Sequence, residues 1–163
     1  MRKRFFPFFL SIGFPLAAVY LFCAQFFLIA HVKEESMEPT LRDGQTILLM
    51  KKITSVHGRN GTGIKKGDIV VFPSPDEKCL VVKRCVLTEG DSIQIEHGWL
   101  ITENGRYFLS ESQWDFLKAY DSVPAGKFFA VGDNQFYSID SRDYGFIDRD
   151  KAIGKVILMN KGL

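Results

Sequence analysis

A serine hydroxyl is too weakly acidic to attack a carbonyl unaided, so a nucleophilic serine needs a base within reach. Ser36 lies in the segment Glu35-Ser36-Met37-Glu38-Pro39-Thr40-Leu41. Pro39 disfavours helix at Glu38 and fixes the local backbone, which puts Ser36 on a constrained loop. There it serves either as a turn or cap residue or as a nucleophile. A second segment, Leu80-Val81-Val82-Lys83-Arg84-Cys85-Val86-Leu87, reads as a strand. Alternation then puts Lys83 on one face with Val81, Cys85 and Leu87, and Arg84 on the other with Val82 and Val86. Two cations inside a strand that is apolar on both faces are unusual. Such a lysine either snorkels to solvent or, if desolvated, gives up its proton readily and becomes an amine base. A third segment, residues 131–145, combines turn formers, acids, hydroxyls and Arg142. It reads either as a solvated loop with a surface Asp140–Arg142 pair, worth under about 1 kcal/mol, or as a loop that orients a catalytic group.

Other chemistries find less support. The sequence HGRNGTG at residues 57–63 is glycine-rich, but no Lys-Ser/Thr follows Gly63 and no helical pattern begins there, so it reads as a loop between strands rather than a phosphate cradle. His31, His57 and His97 show no ligand spacing, and neither a metal nor another cofactor is expected. Cys79 and Cys85 fall six residues apart on one strand, roughly 20 Å, beyond disulfide reach. The chain carries 21 Lys+Arg against 19 Asp+Glu, a formal net charge of +2. That balance argues against a nucleic-acid partner. With 46% hydrophobic and 25% charged residues in its 163, the chain is not a disordered one.

These residues need elements to hold them. Residues 5–30 contain no charged side chain, and about 20 apolar residues suffice to cross a bilayer as a helix. The apolar core of a cleaved secretory signal is shorter, about 7–15 residues. Bulky Phe22 before Cys23 disfavours a lipoprotein anchor. Arg2, Lys3 and Arg4 precede the run, and no positive excess follows it. The expected organisation is a cytoplasmic basic N-terminus at 1–4, a transmembrane anchor at 5–30, and an extracytoplasmic domain at 31–163. Within that domain, short apolar runs at 45–50, 68–72, 79–87, 92–96, 99–102, 127–131 and 152–159 alternate with turn signals. Asn104-Gly105 marks a hairpin. Residues 111–119 form a possible short helix. The expected fold is therefore mainly β: an antiparallel domain tethered by one N-terminal transmembrane helix.

Taken in order, these segments resemble the signature boxes of type I signal peptidases. Residues 36–41 resemble the nucleophile box, Lys66-Gly67-Asp68-Ile69-Val70-Val71-Phe72 a strand box, and Val82-Lys83-Arg84-Cys85-Val86 with Glu89-Gly90-Asp91 the general-base box. Gly132-Asp133-Asn134 through Ser138, Asp140, Ser141 and Arg142, continuing to Gly145-Phe146, resembles the last box. The resemblance implies a Ser/Lys dyad with Ser36 as nucleophile and Lys83 as base, the Ser36 backbone N–H as oxyanion donor, and Ser138 orienting the base. It implies structural ties between Arg84 and Asp133 and between Asp140 and Arg142, and pairing of the substrate strand along Leu80, Val81 and Val82. One departure is Glu34, which stands where many members carry a hydroxyl that fills the oxyanion hole; no side-chain donor is assigned here. Another is Gln135-Phe136-Tyr137, where members often carry a charged or polar stretch. The implied function is a membrane-bound serine endopeptidase of the inner membrane, with its catalytic domain on the outer side. It would remove signal peptides from translocated precursors after small residues of the Ala-x-Ala type, beside the lipid bilayer and the secretion machinery. Two alternatives are a dedicated processing peptidase for a pilin or secretion-system substrate, and a catalytically silent, membrane-anchored precursor-binding protein.

Overall fold

The uncharged N-terminal run is divided between two kinds of structure. In the computed structural model, which describes residues 6–51 and 63–159, helix α1 runs Phe6–Phe26 and strand β1 follows at once as Phe27–His31. The expected anchor at 5–30 is thus a helix only to Phe26. The residues after it pair with a neighbouring strand, which satisfies their backbone groups without further helix. Among the described residues, no helix is long and apolar enough to cross a membrane. The basic residues 1–4 and the glycine-rich residues 57–62 lie outside the described residues.

Beyond β1 the chain forms β2 Thr46–Lys51, β3 Ile69–Pro73, β4 Leu80–Thr88, β5 Gln94–Glu96, β6 Trp99–Thr102 and β7 Gly105–Phe108. Helix α2 Glu111–Leu117, β8 Lys127–Val131, α3 Ser141–Tyr144, β9 Ile147–Asp148 and β10 Gly154–Met159 follow. The expected mainly antiparallel β domain is what the chain builds. A seven-stranded sheet has the order β1-β2-β10-β3-β4-β8-β9, and β5-β6-β7 form a separate three-stranded sheet. All the strand pairs are antiparallel. The hairpin expected at Asn104-Gly105 forms between β6 and β7, but with Thr102 opposite Gly105 its two loop residues are Glu103 and Asn104, and Gly105 already belongs to β7. The short helix α2 starts in a capping box, with Ser110 Oγ accepting from the Gln113 N–H and Gln113 Oε1 accepting from the Ser110 N–H.

The buried side chains form three clusters. Val86 and Leu87 of β4 pack with Phe129 and Val131 of β8 beneath Leu100, Tyr107 and Leu117, and so bind the small sheet and α2 to the large one. Val70, Phe72, Cys85, Phe128 and Ile147 form a second cluster. Val32, Met37, Leu41, Ile47, Leu49, Ile69 and Val71 form the third. A β-bulge between Cys85 and Leu87 shifts the β4–β8 register. It resets the alternation, so Leu87, expected on the face of Lys83, joins Val86 in the first cluster. Cys79 precedes β4 rather than lying within it, and Cys23, Cys79 and Cys85 are all free thiols.

Strand β10 lies between β2 and β3 and makes a close approach at Gly154, paired to both Lys51 and Val71. A Cβ there would stand 2.3 Å from the Met50 carbonyl oxygen. Gly154→Ala should therefore push β10 off β2 and cost about 1–3 kcal/mol, read as a lower urea midpoint at unchanged slope.

Candidate active site

The Ser36 loop is held from beneath by its own apolar neighbours. Met37 and Leu41 are buried in the third cluster on either side of the Glu38-Pro39-Thr40 turn. The Leu41 N–H donates to the Met37 carbonyl at 2.9 Å, and the Glu38 N–H to the Glu35 carbonyl at 3.0 Å. The segment after β8 clamps the loop from above. The Asn134 N–H donates to the Ser36 carbonyl at 3.1 Å, and Asn134 Nδ2 to the Glu35 carbonyl at 3.1 Å. Gly132 lets these chains meet: a Cβ there would sit 2.5 Å from the Ser36 carbonyl oxygen and 2.2 Å from Ser138 Oγ. Asn134 and Gly132 lie in a stretch readable from sequence, but as turn formers. Their clamping contacts reach residues nearly a hundred positions away, and no local signal marks them.

Lys83 comes from β4, on the opposite wall. Its Nζ donates to Ser36 Oγ at 2.7 Å, and the residue is only 4% exposed. Of the two readings of this side chain, the structure takes the desolvated one. Burial lowers its pKa below the ordinary 10.5; the Asp140 and Glu34 carboxylates pull it back up and the Arg142 guanidinium pushes it down. A buried amine of depressed proton affinity, in contact with a serine hydroxyl, can accept that hydroxyl's proton.

The third segment exposes Phe136, Tyr137 and Ile139 but does not carry the Asp140–Arg142 pair at the surface. Asp140 is 0% and Arg142 6% exposed. Arg142 Nε donates to Asp140 Oδ1 at 2.9 Å and Nη2 to Oδ2 at 3.0 Å. Asp140 also caps α3, accepting from the Arg142 N–H at 3.1 Å, and its Oδ2 accepts from the Gly132 N–H at 3.0 Å. The Ser138 hydroxyl donates to the same Oδ2 at 2.7 Å; among the described residues no hydrogen bond joins it directly to Lys83. Arg84 and Asp133 form a fork, Nε to Oδ1 at 2.8 Å and Nη2 to Oδ2 at 2.6 Å. Arg84 also donates to the Gly67 carbonyl and to Thr40 Oγ1, which ties β4 to the Ser36 loop.

Glu34 has φ +74, a left-handed conformation that favours glycine, and its N–H donates to Asp43 Oδ1 at 2.9 Å. With Ser36, Lys83, Val81 and Val82 it lines a cleft of 330 Å³. The other wall of that cleft comes from Ala30, His31 and Val32 at the end of β1. Strands β1 and β4 stand far apart in the sheet order, so a shared cleft requires the sheet to curl. Along the cleft, Leu80, Val81 and Val82 pair with β3 on one side, whereas the β8 pairing begins only at Arg84. Among the described residues, no group of three or more His, Cys, Asp or Glu side chains could hold a metal.

Comparison with known proteins meets this geometry. The family model for "Signal peptidase, peptidase S26" matches residues 5–160. A signal peptidase IB of Staphylococcus aureus is 30% identical over 179 aligned residues, covering 96% of this chain and 89% of its own. A signal peptidase I of Bacillus licheniformis is 31% identical over 138 residues, covering 76% and 70%. The crystal structure of a signal peptidase I from Enterococcus faecalis V583 aligns with a TM-score of 0.43 at 28% identity, over 58% of this chain and 97% of that one.

The Asp140–Arg142 pair makes a strong demand on stability. Asp140→Ala leaves Arg142 buried without its counter-charge, which should cost about 3–5 kcal/mol. Thermal unfolding should show a sharply lowered midpoint, and an unchanged midpoint would mean that the pair is not buried in solution.

Proposed function

Because this chain belongs to the signal peptidase, peptidase S26 family, and is a hydrolase of that family, we propose that it cleaves signal peptides from precursor proteins with Ser36 as nucleophile and Lys83 as general base. The observation that carries this reading is the 2.7 Å contact between Lys83 Nζ and Ser36 Oγ. Neutral Lys83 takes the hydroxyl proton as Ser36 Oγ attacks the scissile carbonyl, and the Ser36 N–H faces the developing oxyanion. Collapse of the tetrahedral intermediate expels the new amino terminus, protonated by Lys83, and leaves the signal peptide as an ester on Ser36. Lys83 then draws a proton from water, which attacks the ester and frees the serine. Ser138, its proton held by Asp140, turns its lone pairs toward the amine and orients it, a role supported by the shared contact around Gly132. Arg84 with Asp133, and Arg142 with Asp140, keep the two walls in place.

The signal peptide binds as an extended strand along Leu80, Val81 and Val82, where the β8 side of β4 is open. The cleft there is small and partly apolar, with Ile47, Val71, Val81 and Val82 in its lining. Such a cleft admits small side chains such as Ala-x-Ala and excludes large ones by overlap. The uncharged N-terminal segment holds the domain at the outer face of the inner membrane, its N-terminus cytoplasmic and its cleft where translocated precursors leave the secretion machinery. Leu16, Val19, Leu21 and Phe22 on α1, Ile29 on β1 and Leu158 on β10 are exposed apolar side chains that support contact with lipid.

In detergent, the protein is expected to cleave a precursor after Ala-x-Ala. Ser36→Ala should fall to background, and Lys83→Ala should lose about 10²–10⁴-fold in kcat, both with the wild-type thermal midpoint or a higher one. Turnover near the wild-type rate in either variant would overturn the assignment.

The base must be neutral to act, so the rate should rise with pH along a limb set by Lys83. Because burial lowers its pKa, the midpoint of that limb should fall below the ordinary 10.5. Lys83→Arg, which stays charged, should be inactive across the whole range.

A further inference from the structure

A second cavity, of 270 Å³, opens beside the site. Phe108 and Phe136 form its apolar walls, and Gln113, Gln135, Ser138 and Arg142 help to complete it. None of these residues lines the cleft that holds Ser36 and Lys83. Ser138 lines this cavity and Ser36 lines the cleft, and both residues close on Gly132, where a Cβ would stand 2.2 Å from Ser138 Oγ and 2.5 Å from the Ser36 carbonyl oxygen. A chain lying along Leu80–Val82 with its scissile bond at Ser36 Oγ would thus have this cavity as the neighbouring space on the Ser138 side.

The polar groups of the cavity are already engaged with the protein. Arg142 donates to the Phe108 carbonyl at 3.3 Å and to the Gln135 carbonyl at 2.8 Å, beyond its pair with Asp140. The Gln135 side chain donates to the Arg106 carbonyl at 3.1 Å and accepts from the Phe108 N–H at 3.3 Å. Gln113 Nε2 donates to Asp143 Oδ1 at 2.7 Å. These bonds brace the backbone of the loop, while Phe108 is 48% and Phe136 88% exposed. A braced loop that presents aromatic surface gains most by covering that surface with an apolar partner. With its polar groups satisfied, it offers a charged guest no counter-charge.

We propose that this cavity is the subsite for the first residues after the scissile bond, and that it favours precursors with an apolar or aromatic side chain there. The proposal rests on the assignment of Ser36 and Lys83, because that assignment sets where the leaving half of the substrate must lie.

The test uses the full chain in detergent and two precursor peptides that are identical up to the cut. One carries Leu at the two positions after the cut and the other carries Gly. Wild type should show higher kcat/KM on the Leu peptide, and Phe136→Ala should lower that preference about tenfold. Phe136→Leu should restore most of it. Tyr137→Ser, at an exposed neighbour that does not line the cavity, should keep the wild-type preference. A wild type without preference, or a Phe136→Ala variant that slows both peptides equally, would overturn the subsite. So would equal losses in Phe136→Ala and Tyr137→Ser that appear only in lipid vesicles, which would assign the loop to membrane contact. Turnover by Ser36→Ala would instead overturn the nucleophile, a failure read separately from the Leu/Gly ratio.

Discussion

An ammonium ion is far better solvated by water than by the inside of a protein, and Lys83 is almost wholly inside. That cost is what lowers its pKa, and the charges around it decide how far. Asp140 pulls toward the ammonium, but it is locked to Arg142, whose guanidinium acts in the opposite sense. The pair thus adds little net charge beside the amine while still supplying a carboxylate oxygen for Ser138 and for the Gly132 N–H. The exposed Glu34 carboxylate, on the cleft side, is the remaining pull toward the protonated form.

Bringing this amine to a hydroxyl is a problem of topology. Ser36 follows β1, at one end of the seven-stranded order, and Lys83 lies in β4, fifth in it. A flat sheet would hold them apart. The third hydrophobic cluster supplies the curl, since it buries Val32, Met37 and Leu41 of the Ser36 segment against Ile69 and Val71 of β3. Asn134 and Arg84 then close the remaining gap with polar bonds. Apolar burial sets the approach of the two walls and hydrogen bonds set the register, a division that follows from the non-directional character of one and the geometry of the other.

Most of the strands were legible in the sequence because turn residues bracket short apolar runs, and the runs at 99–102 and 127–131 coincide with β6 and β8. Strand β1 was not legible: it lies in an unbroken apolar stretch with no period to separate strand from helix. The bulge at Val86 left no sequence mark either, and it moved Leu87 into another cluster. At the site, Ser36 and Lys83 were legible as residue types with alternative fates. They are 47 positions apart, so their contact is a product of the fold. Asp140 and Arg142 read as a surface pair because their local sequence is polar, whereas the structure buries both, with Arg142 received by the carbonyls of Phe108, 34 positions away, and of Gln135 in its own loop.

The junction between α1 and β1 contains no linker: Phe26 ends the helix and Phe27 begins the strand. Lys51 of β2 reaches across the joint and donates from Nζ to the Ala24 carbonyl at 2.7 Å, occupying one of the acceptors that a helix leaves open at its end. Helix and sheet are thus joined at this corner twice, by the chain itself and by the Lys51 hydrogen bond. The direction of the N-terminal helix therefore passes without an intervening loop into β1, whose last residues stand in the wall of the cleft that holds the Ser36 hydroxyl.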